Sequence, residues 1–183
     1  MPARDGYGFC YDASTRVFAN GMARKVVVVW ALVALPFAVG SVLIATGATD
    51  AFLPHAVFHA AYPIVAGSAI VVLLRFRSWS TSNVMRGLVI ALIIAQAAVM
   101  LGHLGEEIAA LRHGAMAAPG SLFTAPDHMM AANVTVPGLL ISQLLLIAVT
   151  ITAAILAWRT RRRLRLQAAP DLSPTDGEDL ERS

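Results

Sequence analysis

The sequence predicts an all-α integral membrane protein, a polytopic bundle of four transmembrane helices, and three observations carry that expectation. Of 183 residues, 57% are hydrophobic and only 14% charged, against about 25% charged in an ordinary soluble domain. The mean hydropathy of +0.68 leaves too little polar surface to cover a water-soluble globule. Four segments, none containing a Lys or Arg, reach the roughly 20 apolar residues that a spanning helix needs.

The first span runs from about 26 to 46, behind an N-terminal tail at 1–25. Its apolar stretch is longer than the roughly 7–15 residues of a signal-peptide core, so it reads as retained. The second span runs from about 54 to 74. The third runs from about 87 to 105, and its helix can continue past the membrane to Arg112. The fourth runs from about 137 to 158 and is followed by a tail at 159–183 that is basic, then acidic and rich in Pro and Ser, a composition that reads as disordered. Pro36 and Pro63 fall within the first two spans and are expected to kink them. No internal repeat and no heptad array is visible.

Orientation follows from the basic residues. Thirteen of the 14 Lys and Arg lie in the N-terminal tail, in the loop between the second and third spans, or in the C-terminal tail. Only Arg112 lies in the other two loops. The positive-inside rule therefore places both termini and the middle loop in the cytoplasm of a cell-membrane protein. Trp30, Trp79 and Trp158 fall at that inner boundary, as interfacial anchors do. The arginines after Trp158 suit anionic lipid head groups or a simple stop-transfer flank. Basic residues confined to membrane edges give no nucleic-acid surface. The single cysteine, Cys10, excludes an intrachain disulfide and a Cys-based metal site.

The chemistry-bearing residues are segregated to the opposite side. His55 and His59 lie in the second span, His103 in the third, and His113 and His128 in the third loop, with Glu106, Glu107 and Asp127 among them. Ionisable groups in a membrane are costly and mark functional sites. Measured along ideal helices, His59 is roughly 24 Å from Arg75, His103 roughly 25 Å from Arg86, and Gln143 roughly 22 Å from Trp158. These three side chains therefore fall at one depth. His55 and His59 share a helix face, and Gln96, Met100, His103 and Glu107 form one stripe.

Two kinds of ligand suit this set. Haem b would take His59 and His103 as axial imidazoles, with Gly102 and Gly105 leaving room for the ring and Gln143 at the same level. A Zn, Cu or non-haem Fe ion would take His55, His59, His103 and Glu107 (or Glu106), with His128 added from the loop. Met129 and Met130 beside His128 lean towards Cu(I). No spacing is diagnostic: there is no H-E-x-x-H, no paired E-x-x-H and no haem-attachment cysteine. An unliganded structural role for the histidines stays open.

On His59, His103 and the four spans, the chain resembles small four-helix membrane-embedded b-type cytochromes and bacterial membrane proteins of similar plan. That resemblance implies haem ligation by His59 and His103 and a role in electron transfer. The chain departs from two-haem forms, because no histidine lies in its inner half. Two other classes compete: an accessory subunit packed against a larger membrane or respiratory complex, and a proton-coupled transporter. No Ser-His-Asp arrangement or phosphate-binding glycine loop suggests a hydrolase, and the sequence names no reaction.

Overall fold

The computed structural model describes residues 6–77, 82–113 and 121–167. Within them the chain forms four helices, α1 Gly6–Ala45, α2 Phe52–Arg77, α3 Asn83–His113 and α4 Pro126–Gln167, with one turn of 3₁₀ helix at Ser121–Thr124. All four are long and apolar enough to cross a membrane. At most 28% of each apolar window is buried inside the protein. Large side chains such as Val27, Ile64, Leu101 and Leu144 face outward on every helix. Hydrocarbon, not water, is the solvent that suits such a surface.

Two expectations are corrected, and the N-terminal tail, given no secondary structure from the sequence, is helical from Gly6. The basic segment after Trp158 stays helical to Gln167, while the acidic remainder lies outside the described residues, as does Trp79. The fourth helix begins at Pro126, eleven residues before Pro137, so His128 is on a helix and not in a loop. The start signal is chemical. Pro126 has no N–H to leave unpaired in the first turn, and Asp127 offers its carboxylate to that turn, accepting from the His128 backbone N–H at 3.0 Å. Pro36, Pro63 and Pro137 all lie inside continuing helices, where neighbouring helices make the lost hydrogen bond tolerable.

A second pattern was hidden by uniform hydrophobicity. The buried positions of α2 include His55, His59, Tyr62, Ala66, Ala69 and Leu73. Those of α3 include Met85, Val89, Leu92, Gln96, Val99, His103, Glu106 and Ala110. Both sets step by four and three residues in alternation, the seam of helices that wind around each other with a left-handed twist. A heptad seam is therefore present, although none stands out where the lipid-facing positions are equally apolar. Small residues let the backbones approach. A Cβ on Gly138 would lie 3.1 Å from the Val99 side chain, and one on Gly102 would run into Thr135 on α4. Helix α3 packs extensively against α2 and α4, and α1 is the least embedded of the four.

The end of the bundle marked by Lys25, Arg75, Arg86 and Arg159 has a dry core. Val29, Val33, Leu73, Val89, Leu92 and Leu146 fill it. Lys25 leans over the Phe76 ring at 5.6 Å, and the Trp30 indole donates to the Thr150 hydroxyl at 2.9 Å. Dispersion between closely fitted side chains holds such a core in lipid, since the lipid tails are as apolar as the core itself.

Candidate metal centre

At the opposite end the same seam changes chemistry. His55 and His59 of α2, His103 and Glu106 of α3, and His128 of α4 converge, each at most 4% exposed. The His59 Nδ1 lies 2.8 Å from the His103 Nδ1 and 2.9 Å from a Glu106 carboxylate oxygen. The same oxygen is 3.7 Å from the His103 Nδ1 and 3.9 Å from the His128 Nε2. The His55 Nε2 lies 3.1 Å from the His128 Nε2.

The turn between α1 and α2 sets one of these rings. Helix α1 ends with Gly47 at φ 69°, where the N–H groups of Gly47 and Ala48 return to the carbonyls of Ile44 and Leu43. This glycine-capped stop leads the chain to Thr49, whose carbonyl meets the His55 Nδ1 at 3.1 Å. A carbonyl only accepts, so Nδ1 carries the proton, and a neutral His55 presents a bare lone pair at Nε2. A backbone carbonyl fixing one nitrogen while the other faces an electrophile is the usual support of a metal-ligating histidine. Aromatic packing orients the other rings. Tyr62 stacks on His103 with centroids 4.1 Å apart, and Phe58 meets both His59 and His103 edge-on.

The contacts around the His59 Nδ1 can both be hydrogen bonds only if one proton is shared between two acceptors. One ring nitrogen offers either one proton or one lone pair, yet this one has two close partners. A cation between the three atoms would serve all of them. Tetrahedral coordination at about 2.0–2.1 Å puts neighbouring donors about 3.3 Å apart, within the 2.8 to 3.9 Å spread found here. Among the described residues, two triads have ligand atoms that all lie within 4.8 Å of one another: His55, His59 and His128, and His59, His103 and Glu106.

Nothing in this arrangement supports haem. The His59 and His103 rings are in direct contact, with centroids 5.1 Å apart and Nδ1 atoms at 2.8 Å, and leave no gap between them for a macrocycle. The glycines expected to make room for the ring are filled by helix packing. Gly102 closes on Thr135, and a Cβ on Gly105 would meet the Ala131 side chain at 3.0 Å.

Several other expectations change. Gln143 is remote from the cluster and donates to the Val33 carbonyl at 3.2 Å, tying α4 to α1. Glu106 takes the place first given to Glu107. A straight 3.6-residue count from Gln96 through His103 selects Glu107, whereas the four-three seam selects Glu106. Glu107 flanks the seam, one carboxylate oxygen buried without a partner among the described residues. Met129 and Met130 are 52% and 70% exposed and point away from His128, which removes the reason to favour Cu(I). His113 pairs with Asp127 at 3.0 Å in an exposed position, apart from the cluster. Tyr62 and Thr49 were missed. Tyr62 could have been found three residues along the seam from His59; Thr49, in a turn, carries no such signal. Comparison of the chain with protein-family models, with curated proteins and with solved structures finds no match.

Proposed function

We propose that this protein is a small membrane metalloprotein in which His59, His103 and Glu106 hold one divalent transition-metal ion in a non-haem centre, with His55 and His128 beside them. The observation that carries the reading is the crowding of His59, His103 and Glu106 donor atoms around one point, at 2.8, 2.9 and 3.7 Å. Imidazole and carboxylate donors without thiolate or thioether suit Fe(II), Zn(II) or Cu(II). Two imidazoles and one carboxylate on one face, with further positions open, is the donor set of non-haem iron centres that act on a second bound molecule. Iron(II) is therefore the ion of choice and redox chemistry the matching function. Such an ion would supply Lewis acidity and a change of oxidation state. The chain's own residues position it: Thr49 fixes the His55 tautomer, Tyr62 and Phe58 hold the rings, and the seam supplies a dry surround.

The charge pattern supports an orientation with the cluster on the extracytoplasmic side and both termini in the cytoplasm. An impermeant thiol reagent should label Ser121→Cys in intact cells. Labelling only after the cells are opened would reverse the topology. For the metal itself, elemental analysis of protein purified from cells grown in metal-replete medium is the test. One equivalent of metal is expected in the wild type and little in His59→Ala, His103→Ala and Glu106→Gln. Metal-free wild-type protein that also fails to take up Fe(II) or Zn(II) would overturn the reading.

A further inference from the structure

A cavity of about 280 Å³ adjoins the cluster. Its walls are Phe37, Gly40 and Ile44 of α1, Phe58 and Tyr62 of α2, and Val136 and Leu140 of α4, with His55, His59, His103, Glu106 and His128 at its polar end. The lining residues that are themselves exposed are Ser41 and Ile44 of α1 and Val136 and Leu140 of α4. Helices α2 and α3 and the α1–α2 turn contribute no exposed lining residue. The mouth is therefore the seam between α1 and α4, and it faces the membrane's hydrocarbon sideways instead of the water beyond the helix ends.

Size and chemistry narrow the occupant. An apolar cavity of about 150 Å³ is enough to take up benzene, so this one has room for a substituted ring. Phe37, Phe58 and Tyr62 give the walls aromatic faces. Three lining groups are buried without a hydrogen-bond partner among the described residues: the Tyr62 phenol, the Thr49 hydroxyl and the His103 Nε2. Buried polar atoms of this kind are normally satisfied, and leaving them bare costs stability. In an otherwise apolar pocket that opens to lipid, a ligand with ring hydroxyls would satisfy them.

We infer that the cavity binds a membrane-dissolved quinol, one hydroxylated six-membered ring on an alkyl tail. The ring enters between α1 and α4 and lies beside the metal cluster, and the tail stays in the lipid along Val136 and Leu140. The inference deepens the metal-centre reading by naming the class of molecule brought to it, and ligand binding is measurable without metal turnover.

The probe is a benzoquinol carrying a ten-carbon alkyl chain, kept reduced and titrated against the full chain in lipid nanodiscs. The control is the alkylbenzene of equal tail length. Saturable binding of one quinol per chain is expected, at least ten-fold tighter than the control. Tyr62→Phe and Thr49→Val should each weaken it about three- to ten-fold, in line with the loss of one hydrogen bond. Val136→Trp at the mouth and Ala132→Phe in the wall should abolish it. Metal content, measured on the same samples, should be unchanged in Val136→Trp. Equal binding of the alkylbenzene, or quinol binding that survives both Val136→Trp and Ala132→Phe, would overturn the inference even if the metal is present. Quinol binding to a chain that takes up no metal would uphold the cavity and retire the metal centre.

Discussion

The two ends of this bundle are built from the same helices on the same seam, and they differ in what the seam carries. Near the arginine-flanked end, Leu73, Val89, Leu92, Leu146 and Val149 interlock in a dry core. Towards the other end, the equivalent positions of α2, α3 and α4 hold His55, His59, His103, Glu106 and His128, equally buried. Apolar residues at those positions would pack as well, and buried polar groups in lipid are expensive. The dry end shows that the fold does not need the polar set. Its concentration at one end is therefore the basis of the proposed site, and the contrast states how the two ends should respond to substitution.

The largest effect is expected from His59→Ala, because His59 belongs to both candidate triads. Removing it should weaken metal binding by more than about 100-fold, beyond the 10- to 100-fold typical of outer-shell changes. Calorimetric titration of the metal-free protein would read it. His55→Ala should cost less, about 10- to 100-fold, since His55 reaches the cluster through His128. Gly102→Ala couples the two ends of the argument, forcing α3 away from α4 at Thr135. A loss of about 1–3 kcal/mol in unfolding free energy is expected, together with weaker metal binding.

Leu92→Ala should separate the regions cleanly. Leu92 is fully buried in the dry core, so truncation should cost about 2–5 kcal/mol. Metal affinity should stay within about two-fold, as for distant independent sites. A loss of metal as large as that of His55→Ala would show that the two ends are one cooperative unit. His113→Ala should do least. Its ring is exposed and paired only with Asp127, and neither stability nor metal affinity should move measurably.

The same contrast explains what could be read from the sequence. The four spans were legible because length and apolarity suffice to define a membrane helix. The meeting of His59 and His103 was legible because depth along a helix is simple counting. Helical phase was harder. Water-facing helices reveal their buried stripe by polar contrast, and a helix in lipid is apolar all round. The choice of Glu107 over Glu106 came from that loss of contrast, since a straight helix and a supercoiled seam diverge by only about 30° over this length, too little for counting alone to decide between neighbours. The early start of α4 was written in Pro126 and Asp127, but the hydrophobic run that follows Pro137 masked it. The expected roles of Gln143, Gly102 and Gly105 find no support in the packing: Gln143 bonds to Val33 in the dry core, below the level that its count from Trp158 gave it, and the two glycines face α4.

X-ray absorption at the metal edge of the loaded protein tests the central claim most directly, because it reads the ligands without a crystal. A centre built by these residues should show a first shell of nitrogen and oxygen at about 2.0–2.1 Å. The outer-shell scattering of at least two imidazole rings should accompany it and vanish in His59→Ala. A first shell of water oxygens alone, with no imidazole signature, would contradict the assignment of this cluster as a metal centre.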